Sequence, residues 1–536
     1  MPLPCFNFCL GSSDAGKPKT TDKPSSQQPA TNPTETSSTI DNQVIKSETL
    51  EDPHTSSAPA KNNPKMAEGV SAAVAASLAS GGVESVGFLN DLVRQLWDYI
   101  NIAGGKLTKE IVEPMFKEML PGPLKSLHFE KIDLGKKPLK FDNVDVHTRE
   151  KGMVKLDIDV SWDGNCDIEL AASMLGSFGV ESVKIKGRLS VLLCPLINRM
   201  PIVSAMQIGF INPPDIELDF TGLAQVADLC IIDDTIRSII QNVLAGILVL
   251  PNRLLIKLDP TNNFFDTYKH PLGLIRITIV KGQGFKVPKQ FIKDIPDVYC
   301  KVKFGAEKMW KTSTKNNDTT PEWDEKKDFI LSDHDQILEI EALDDDLAGD
   351  DNLGAGKITV GKLLLAGGTT DIPLIHEGED TGASITVSSS IYQFTSETIS
   401  CESPDHSGKE LLCGLVTVLV AGASNIPGKR EEAASKVQLT YDGKDYLTPT
   451  IFNNPGIDAI NPSYDWSFRV PLTPDMISSS PGFTFTLMNG KETIGSTSAT
   501  FEEVLQSPEK TLTAKRDMGE GASIDFRICI AGVHMV

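Results

Sequence analysis

Hydrophobic and polar positions along this chain repeat with one of two periods, and the switches between them divide it into parts. From Val86 onward, Phe88, Leu89, Leu92, Val93, Leu96, Trp97 and Ile100 recur at helical spacing, with Asp91, Arg94, Gln95 and Asp98 opposite. Leu107, Ile111, Met115, Met119 and Leu120 form the apolar face of a second predicted helix. Period two then takes over. Val154, Leu156, Ile158, Val160 and Trp162 alternate with Lys155, Asp157, Asp159 and Ser161, the pattern of a half-buried strand. Val183, Ile185, Leu189, Val191 and Leu193 repeat it, as do Ile216, Leu218 and Phe220. A strongly apolar helix follows, N-capped by Asp233, with Ile236, Ile239, Ile240, Val243, Leu244 and Ile247 facing inward. It stops at Pro251-Asn252-Arg253, ahead of a short strand Leu254–Leu258.

The remainder reads as strands and turns. Gly273–Val280, Val298–Phe304 and the alternation of Leu338, Ile340 and Ala342 with Glu339 and Glu341 predict one sandwich. A Ser-, Glu-, Pro- and Gly-bearing linker follows Phe394, and Gly414–Val420 opens a second sandwich. Asn461–Phe468 there repeats the turn around Pro321, and Phe483–Leu487 repeats the strand before Asp344.

Five carboxylates crowd the end of the 338–342 strand: Asp344, Asp345, Asp346, Asp350 and Asp351. Such a cluster repels itself unless a hard cation neutralises it, and all-oxygen clusters are what calcium selects. An EF-hand is excluded, because counting from Asp344 puts Ala348 at the fifth position and Ala355 at the twelfth, where a bidentate Glu is required. The plain alternative is an acidic surface turn, since Asp, Asn and Gly form turns anyway. In the second sandwich the matching loop reads Met488-Asn489-Gly490-Lys491-Glu492, without paired carboxylates, and Ser435 stands about where Asp297 does, so this copy is expected not to hold calcium.

The pieces around the acidic loop come in a telling order. Asp297-Val298-Tyr299 enters a strand, Thr320-Pro321-Glu322-Trp323-Asp324-Glu325 makes a turn, and Asp344-x-Asp346 is closed by Asp350-Asp351-x-Leu353-Gly354. This order resembles a C2 domain, the β-sandwich that docks on membranes. The resemblance implies a calcium cup from Asp297, Asp344, Asp346, Asp350 and Asp351. Asp294 is displaced toward Asp297, and Lys289 or Gln290 stands where a further carboxylate is usual. Upstream, Phe88-Leu89-Asn90 leading to Leu96-Trp97, Leu127-His128-Phe129 followed by Leu134-Gly135, and Val249–Arg253 directly before the sandwich resemble a synaptotagmin-like mitochondrial lipid-binding (SMP) domain. An SMP domain followed by C2 domains is similar to the extended synaptotagmins, tricalbins and plant synaptotagmins.

The resemblance implies an α+β chain. A tubular SMP lipid-binding domain of antiparallel sheet and helices spans 84–260, a calcium-binding C2 sandwich 270–395, a linker 396–410 and a degenerate C2-like sandwich 411–536. Residues 1–83 are expected to form a disordered tail, rich in Ser, Thr, Pro, Asn and Lys from about Ser12 to Lys65. It also implies that Val154, Leu156, Ile158, Leu189, Val191, Leu218 and Ile239 lie near a bound glycerolipid or phospholipid. An inward apolar stripe by itself reads as core, and only the resemblance raises lipid binding above that.

Composition narrows the partners. A net charge of -21 argues against nucleic acid, which demands clustered Lys and Arg. Attraction to phospholipid membranes must then be local, and Lys301, Lys303, Lys308 and Lys311 are the candidates, against the plain reading of a solvated strand face. Nine scattered cysteines without Cys-x-x-Cys spacing fit a reducing compartment. Cys5 and Cys9, flanked by Phe and Leu, are candidates for S-acylation, which would tie the chain to a membrane, against a merely hydrophobic chain end. No secretory signal or transmembrane run is evident; Ile239–Leu250 contains Gln241 and Asn242 and falls short of the roughly 20 residues a span requires.

Catalysis has thin support. There is no His-Glu-x-x-His, no Gly-x-Ser-x-Gly elbow and no phosphate loop, and Gly282-Gln283-Gly284 lacks the third glycine of a dinucleotide loop. The expected function is therefore non-enzymatic: lipid binding and transfer at membrane contact sites, with calcium-dependent docking of the first C2 domain. The alternative is a calcium-regulated tether or scaffold without transfer. The expected setting is cytoplasmic and peripheral to membranes, with endoplasmic reticulum–plasma membrane contacts as the specific site. A homodimer through the SMP domain is among the partners considered.

Overall fold

Two long antiparallel strands form the spine of the N-terminal domain. The computed structural model describes residues 82–83, 86–119, 125–147, 151–173 and 176–221, then 237, 240–242 and 244–248. From 249 it describes all but 287–294, 347–348, 398, 400–410, 455 and 536. Cys5, Cys9, Ile239 and Asp294 lie outside these residues.

The chain opens with β1 (Gly82–Val83) and α1 (Gly87–Met119), followed by β2 (His128–Asp133), β3 (Lys140–His147), β4 (Val154–Ala172), β5 (Gly176–Leu193), β6 (Ala205–Phe210), β7 (Asp215–Thr221) and β8 (Leu254–Lys257). Strand β4 has 19 residues and β5 has 18, so the β4–β5 ribbon is about 60 Å long at about 3.3 Å per residue. Its ends carry different neighbours. β3 pairs with the first part of β4 and β2 with the last, while β7 pairs with the first part of β5 and β6 with its end. A bulge on β5 between Val180 and Ser182, where it pairs with β7, lets Phe178 and Val180 share a face with Val183 and Ile185 despite opposite parity. Gly82–Val83, assigned to the tail from sequence, pairs with β3.

The two helices expected over 88–120 are one helix of 33 residues that runs through Gly104-Gly105. Glycine costs a helix interior about 1 kcal/mol relative to alanine. The cost is met here because the helix lies close on β2: a Cβ at Gly105 would stand 3.3 Å from Ile132 Cγ2, and one at Gly104 3.4 Å from Leu134 Cδ1.

The first sandwich comprises β9 (Gly273–Gln283), β10 (Val298–Phe304), β11 (Trp310–Lys311), β12 (Glu322–Leu331), β13 (Ile337–Asp344), β14 (Asp351–Thr359), β15 (Thr369–His376) and β16 (Glu379–Thr395). Ile275, Ile277, Ile279, Val302, Phe329, Ile340, Ile385 and Val387 fill its core. The second comprises β17 (Gly414–Ser424), β18 (Ala434–Tyr441), β19 (Lys444–Leu447), β20 (Ile451–Phe452), β21 (Ser463–Leu472), β22 (Phe483–Asn489), β23 (Glu492–Ala499), β24 (Thr511–Gly519) and β25 (Ala522–Met535). Tyr441 stacks on Phe483 and Phe485 on Phe526 at its centre.

The sandwiches share one sheet. Tyr392–Thr395 of β16 pairs with Gly532–Met535 of β25, so the hydrogen-bond ladder crosses from one to the other. Beside this seam Asp328 accepts from Arg276 at 2.8 and 3.0 Å and from the Leu412 backbone N–H at 2.8 Å. Leu274, Ile330 and Leu415 pack between them. Cys413 is disulfide-bonded, an exception to the reduced thiols expected.

Candidate lipid wall and calcium loops

Alternation on β4, β5 and β6 builds a continuous apolar wall. Register places Leu156 beside Val191 and Ile158 beside Leu189, then Leu189, Val191 and Leu193 beside Phe210, Ile208 and Met206. Val144 and Val146 on β3 continue it past Ile158 and Leu156. Leu156, Ile158, Leu189 and Val191 thus belong to one apolar cluster, and Val154 pairs with Leu193 at its edge. Leu218 lies in the neighbouring cluster at the other end of the ribbon, with Trp97, Phe116, Trp162, Phe178 and Val183. The sequence reading passed over Met206, Ile208 and Phe210, although their alternation with Gln207 and Gly209 carries the same signal.

This wall differs physically from the sandwich cores. Leu156, Ile185, Leu189, Leu193, Met206 and Ile208 are only half-buried, whereas Ile275, Ile277 and Ile279 on β9 are fully buried. Central strands that leave inward apolar side chains half-covered present a surface that favours an apolar ligand.

At one end of the first sandwich the register sets Val298 beside Asp344 and Asp344 beside Asp351. Asp297, Asp344 and Asp351 therefore meet at adjoining strand ends, although they are far apart in sequence. Asp344 Oδ1 accepts from the Asp297 N–H at 2.6 Å, and Asp297 Oδ1 accepts from the Asn317 N–H at 2.6 Å. Asp346 continues the same loop. Asp350 is placed differently: it accepts from the Tyr299 hydroxyl at 2.5 Å and lies 3.9 Å from Lys301 Nζ. Burial, then the Asp350 carboxylate, raises the Tyr299 pKa well above the usual phenol range, so the hydroxyl stays a donor. Among the described residues, no three His, Cys, Asp or Glu side chains are arranged to hold a metal.

The lysines on the adjoining strands face carboxylates. Lys311 Nζ lies 3.4 Å from the Tyr299 ring centre and 3.8 Å from Asp345, and Lys303 lies 3.9 Å from Glu339. Lys308 is exposed in the turn after β10.

In the second sandwich the same loops are tied by neutral groups. The Ala434 N–H donates to Asn489 Oδ1 at 2.8 Å and the Gly490 N–H to the Ala434 carbonyl at 2.8 Å, repeating the bonds between Asp297, Asp344 and Asp345. Ala434 therefore stands where Asp297 does, one residue before the Ser435 expected from sequence, and Asn489 stands for Asp344. Ser435 is buried and accepts from the Tyr464 hydroxyl at 2.9 Å.

Comparison with known proteins agrees with this architecture. The model of the synaptotagmin-like mitochondrial-lipid-binding domain family matches residues 82–259, and the C2 domain model matches residues 273–372. Extended synaptotagmin-1 of Rattus norvegicus is 31% identical over 294 residues, 53% of this chain and 27% of that protein. Extended synaptotagmin-2 of Mus musculus is 31% identical over 281 residues, 51% of this chain and 33% of that protein. The match thus spans about a quarter to a third of the length of these curated relatives. A solved structure of extended synaptotagmin 2, comprising its SMP domain and two C2 domains, superposes with a TM-score of 0.58 at 23% identity. It covers 84% of this chain and all of that one, and shows the shared fold. Its lipid-binding domain, its C2 sandwiches and their order place this chain with the SMP–C2 proteins, and its homologues are the extended synaptotagmins.

Proposed function

We propose that this chain is a non-enzymatic lipid-binding and lipid-transfer protein acting where two membranes come close. The observation that carries the reading is the half-buried apolar wall along β4, β5 and β6 within the segment that matches a lipid-binding family. Leu156, Ile158, Leu189, Val191, Met206 and Ile208 would contact the acyl chains of a glycerolipid or phospholipid. The long ribbon would hold an extended chain along its length.

The first sandwich supplies the membrane contact in this reading. Asp297, Asp344, Asp346 and Asp351 offer only oxygen donors at one loop end, which suits a hard cation such as calcium. Bound calcium would cancel their repulsion and leave coordination positions for lipid phosphate oxygens. Three of the four candidate lysines lie within 4.0 Å of a carboxylate, so a lipid phosphate reaching them must compete with Asp350, Glu339 or Asp345. The second sandwich, with Ala434 and Asn489 in place of two of the carboxylates, would act without calcium.

Native mass spectrometry with lipid extraction on the purified full chain tests the carrying role. Co-purifying phospholipid or glycerolipid supports it. A ligand-free protein that stays free after incubation with liposomes overturns transfer and leaves a membrane tether or scaffold.

A further inference from the structure

The end of the first sandwich opposite its acidic loops meets the N-terminal sheet through partly buried charges. Lys155 Nζ on β4 lies 2.6 Å from Asp333 in the β12–β13 loop and 2.9 Å from Asp157 on its own strand. His147 Nε2 stands 2.8 Å from Asp157. Next to them, Arg188 on β5 contacts Asp145 and reaches Asp159 at 3.0 Å and Asp335 at 3.5 Å. Asn212 closes the contact with a two-way amide clamp: its Nδ2 donates to the Asp335 carbonyl at 2.9 Å, and its Oδ1 accepts from the Ile337 N–H at 2.7 Å. Ala306 packs against the apolar cluster of the wall itself.

The segment joining the domains is equally engaged. Asn262 Nδ2 donates to Ser204 Oγ at 2.8 Å, and Gln207 Nε2 donates to the Thr267 carbonyl at 2.7 Å. The second sandwich holds the segment from the other side, where Arg527 donates to the Phe265 carbonyl at 3.0 Å and Lys257 pairs with Asp465 at 2.8 Å. A free tether would leave these backbone groups to water.

We propose that the first sandwich and the lipid-binding sheet are latched into one rigid body by the Lys155–Asp333 pair, the Arg188–Asp335 contact and the Asn212 clamp. Strand β13 then sets the spacing of function. It leaves the latch at Ile337 and reaches the acidic loop at Asp344, so its eight residues hold that loop about 25 Å from the latch. Docking by the loop would orient the wall as well as tether it. The latch is independent of whether calcium or lipid binds.

Charge burial fits this role. Burial opposes the Lys155 charge, but Asp333 and Asp157 hold its pKa above the usual lysine value. Burial alone would raise Asp333, yet Lys155 outweighs it and keeps that carboxyl below its usual range. Removing Asp333 leaves Lys155 with Asp157, so the latch can be cut without stranding a charge inside the N-terminal domain.

The test is double electron–electron resonance on the full chain, with spin-labelled non-canonical residues at the exposed positions Glu181 and Lys362. The parent chain should give one narrow distance peak, and Asn212→Ala combined with Asp333→Ala should lose it while circular dichroism still reports folded domains. If that pair fails to fold, Asn212→Ala alone, which removes no charge, is read the same way. A broad distribution in the parent, or a peak as narrow in the folded variant as in the parent, overturns the latch.

Discussion

Leu189→Ala separates a lipid wall from a packed core. Leu189 lies between Ile158 and Phe210 on the wall and is half-buried. The change removes three carbons, up to about 2.4 kcal/mol of apolar transfer at about 0.8 kcal/mol per methylene. With at least about two-thirds of the side chain covered by protein, about 1.6 kcal/mol of that is felt as fold stability. The rest is realised only when an acyl chain covers the leucine, and a remainder near 0.8 kcal/mol is about a fourfold loss of lipid affinity. Ile277→Ala in the first sandwich, where the side chain is fully buried, is the internal control and should cost about 2–5 kcal/mol. Urea unfolding measures the stability change, and displacement of a fluorescent phospholipid measures the affinity. A Leu189→Ala cost as large as that of Ile277→Ala, with lipid binding unchanged, would refute the wall.

Asp344→Asn with Asp346→Asn should abolish calcium-dependent co-sedimentation with anionic liposomes while the melting temperature holds or rises, because like-charge repulsion falls; unchanged calcium dependence would sink the site. Asp328→Ala should cost about 3–5 kcal/mol in urea unfolding, since it removes the carboxylate that Arg276 and the Leu412 N–H share at the seam between the sandwiches. Asn489→Ala should cost about 1–3 kcal/mol by orphaning the Ala434 N–H, again by urea unfolding, and a neutral result would deny that this amide ties the loops. Burial pushes the Glu307 carboxyl up to about 7, so the folded chain holds a proton that the unfolded chain, titrating near about 4.3, has released. Its contribution is therefore full below about pH 4 and lost as pH rises to about 7. Glu307→Gln keeps an acceptor for the Ile330 N–H and should flatten that slope in melts between about pH 4.5 and 8; equal slopes in both proteins would count against it.

Local pattern was enough for element type over most of this chain. Period two on β4 and β13 depends only on neighbouring side chains facing opposite ways, so the strands and both sandwiches were readable. The acidic loop was readable too, because repulsion among Asp344, Asp346 and Asp351 is already implied by their spacing. Contacts distant in sequence were not. The break expected between Ile100 and Leu107 is bridged because Gly104 and Gly105, lacking Cβ atoms, let the helix approach Ile132 and Leu134, a fact residing in and just after β2. Asp350 reads as a fifth ligand, and only the fold sets its carboxylate against Tyr299 and Lys301. Ser435 looked like the counterpart of Asp297 until the strand register gave that place to Ala434.

The amino-acid sequence by itself determined the order of domains and the chemistry each can carry, since periodicity, loop carboxylates and glycine positions are local properties. Tertiary structure alone decided how the domains meet. Asp333 and Asp335 read as ordinary loop acids, and Lys155, Asp157 and Arg188 as the polar face of strands. Only folding brings them together out of water, where a charge is tolerated if its partner is already in place.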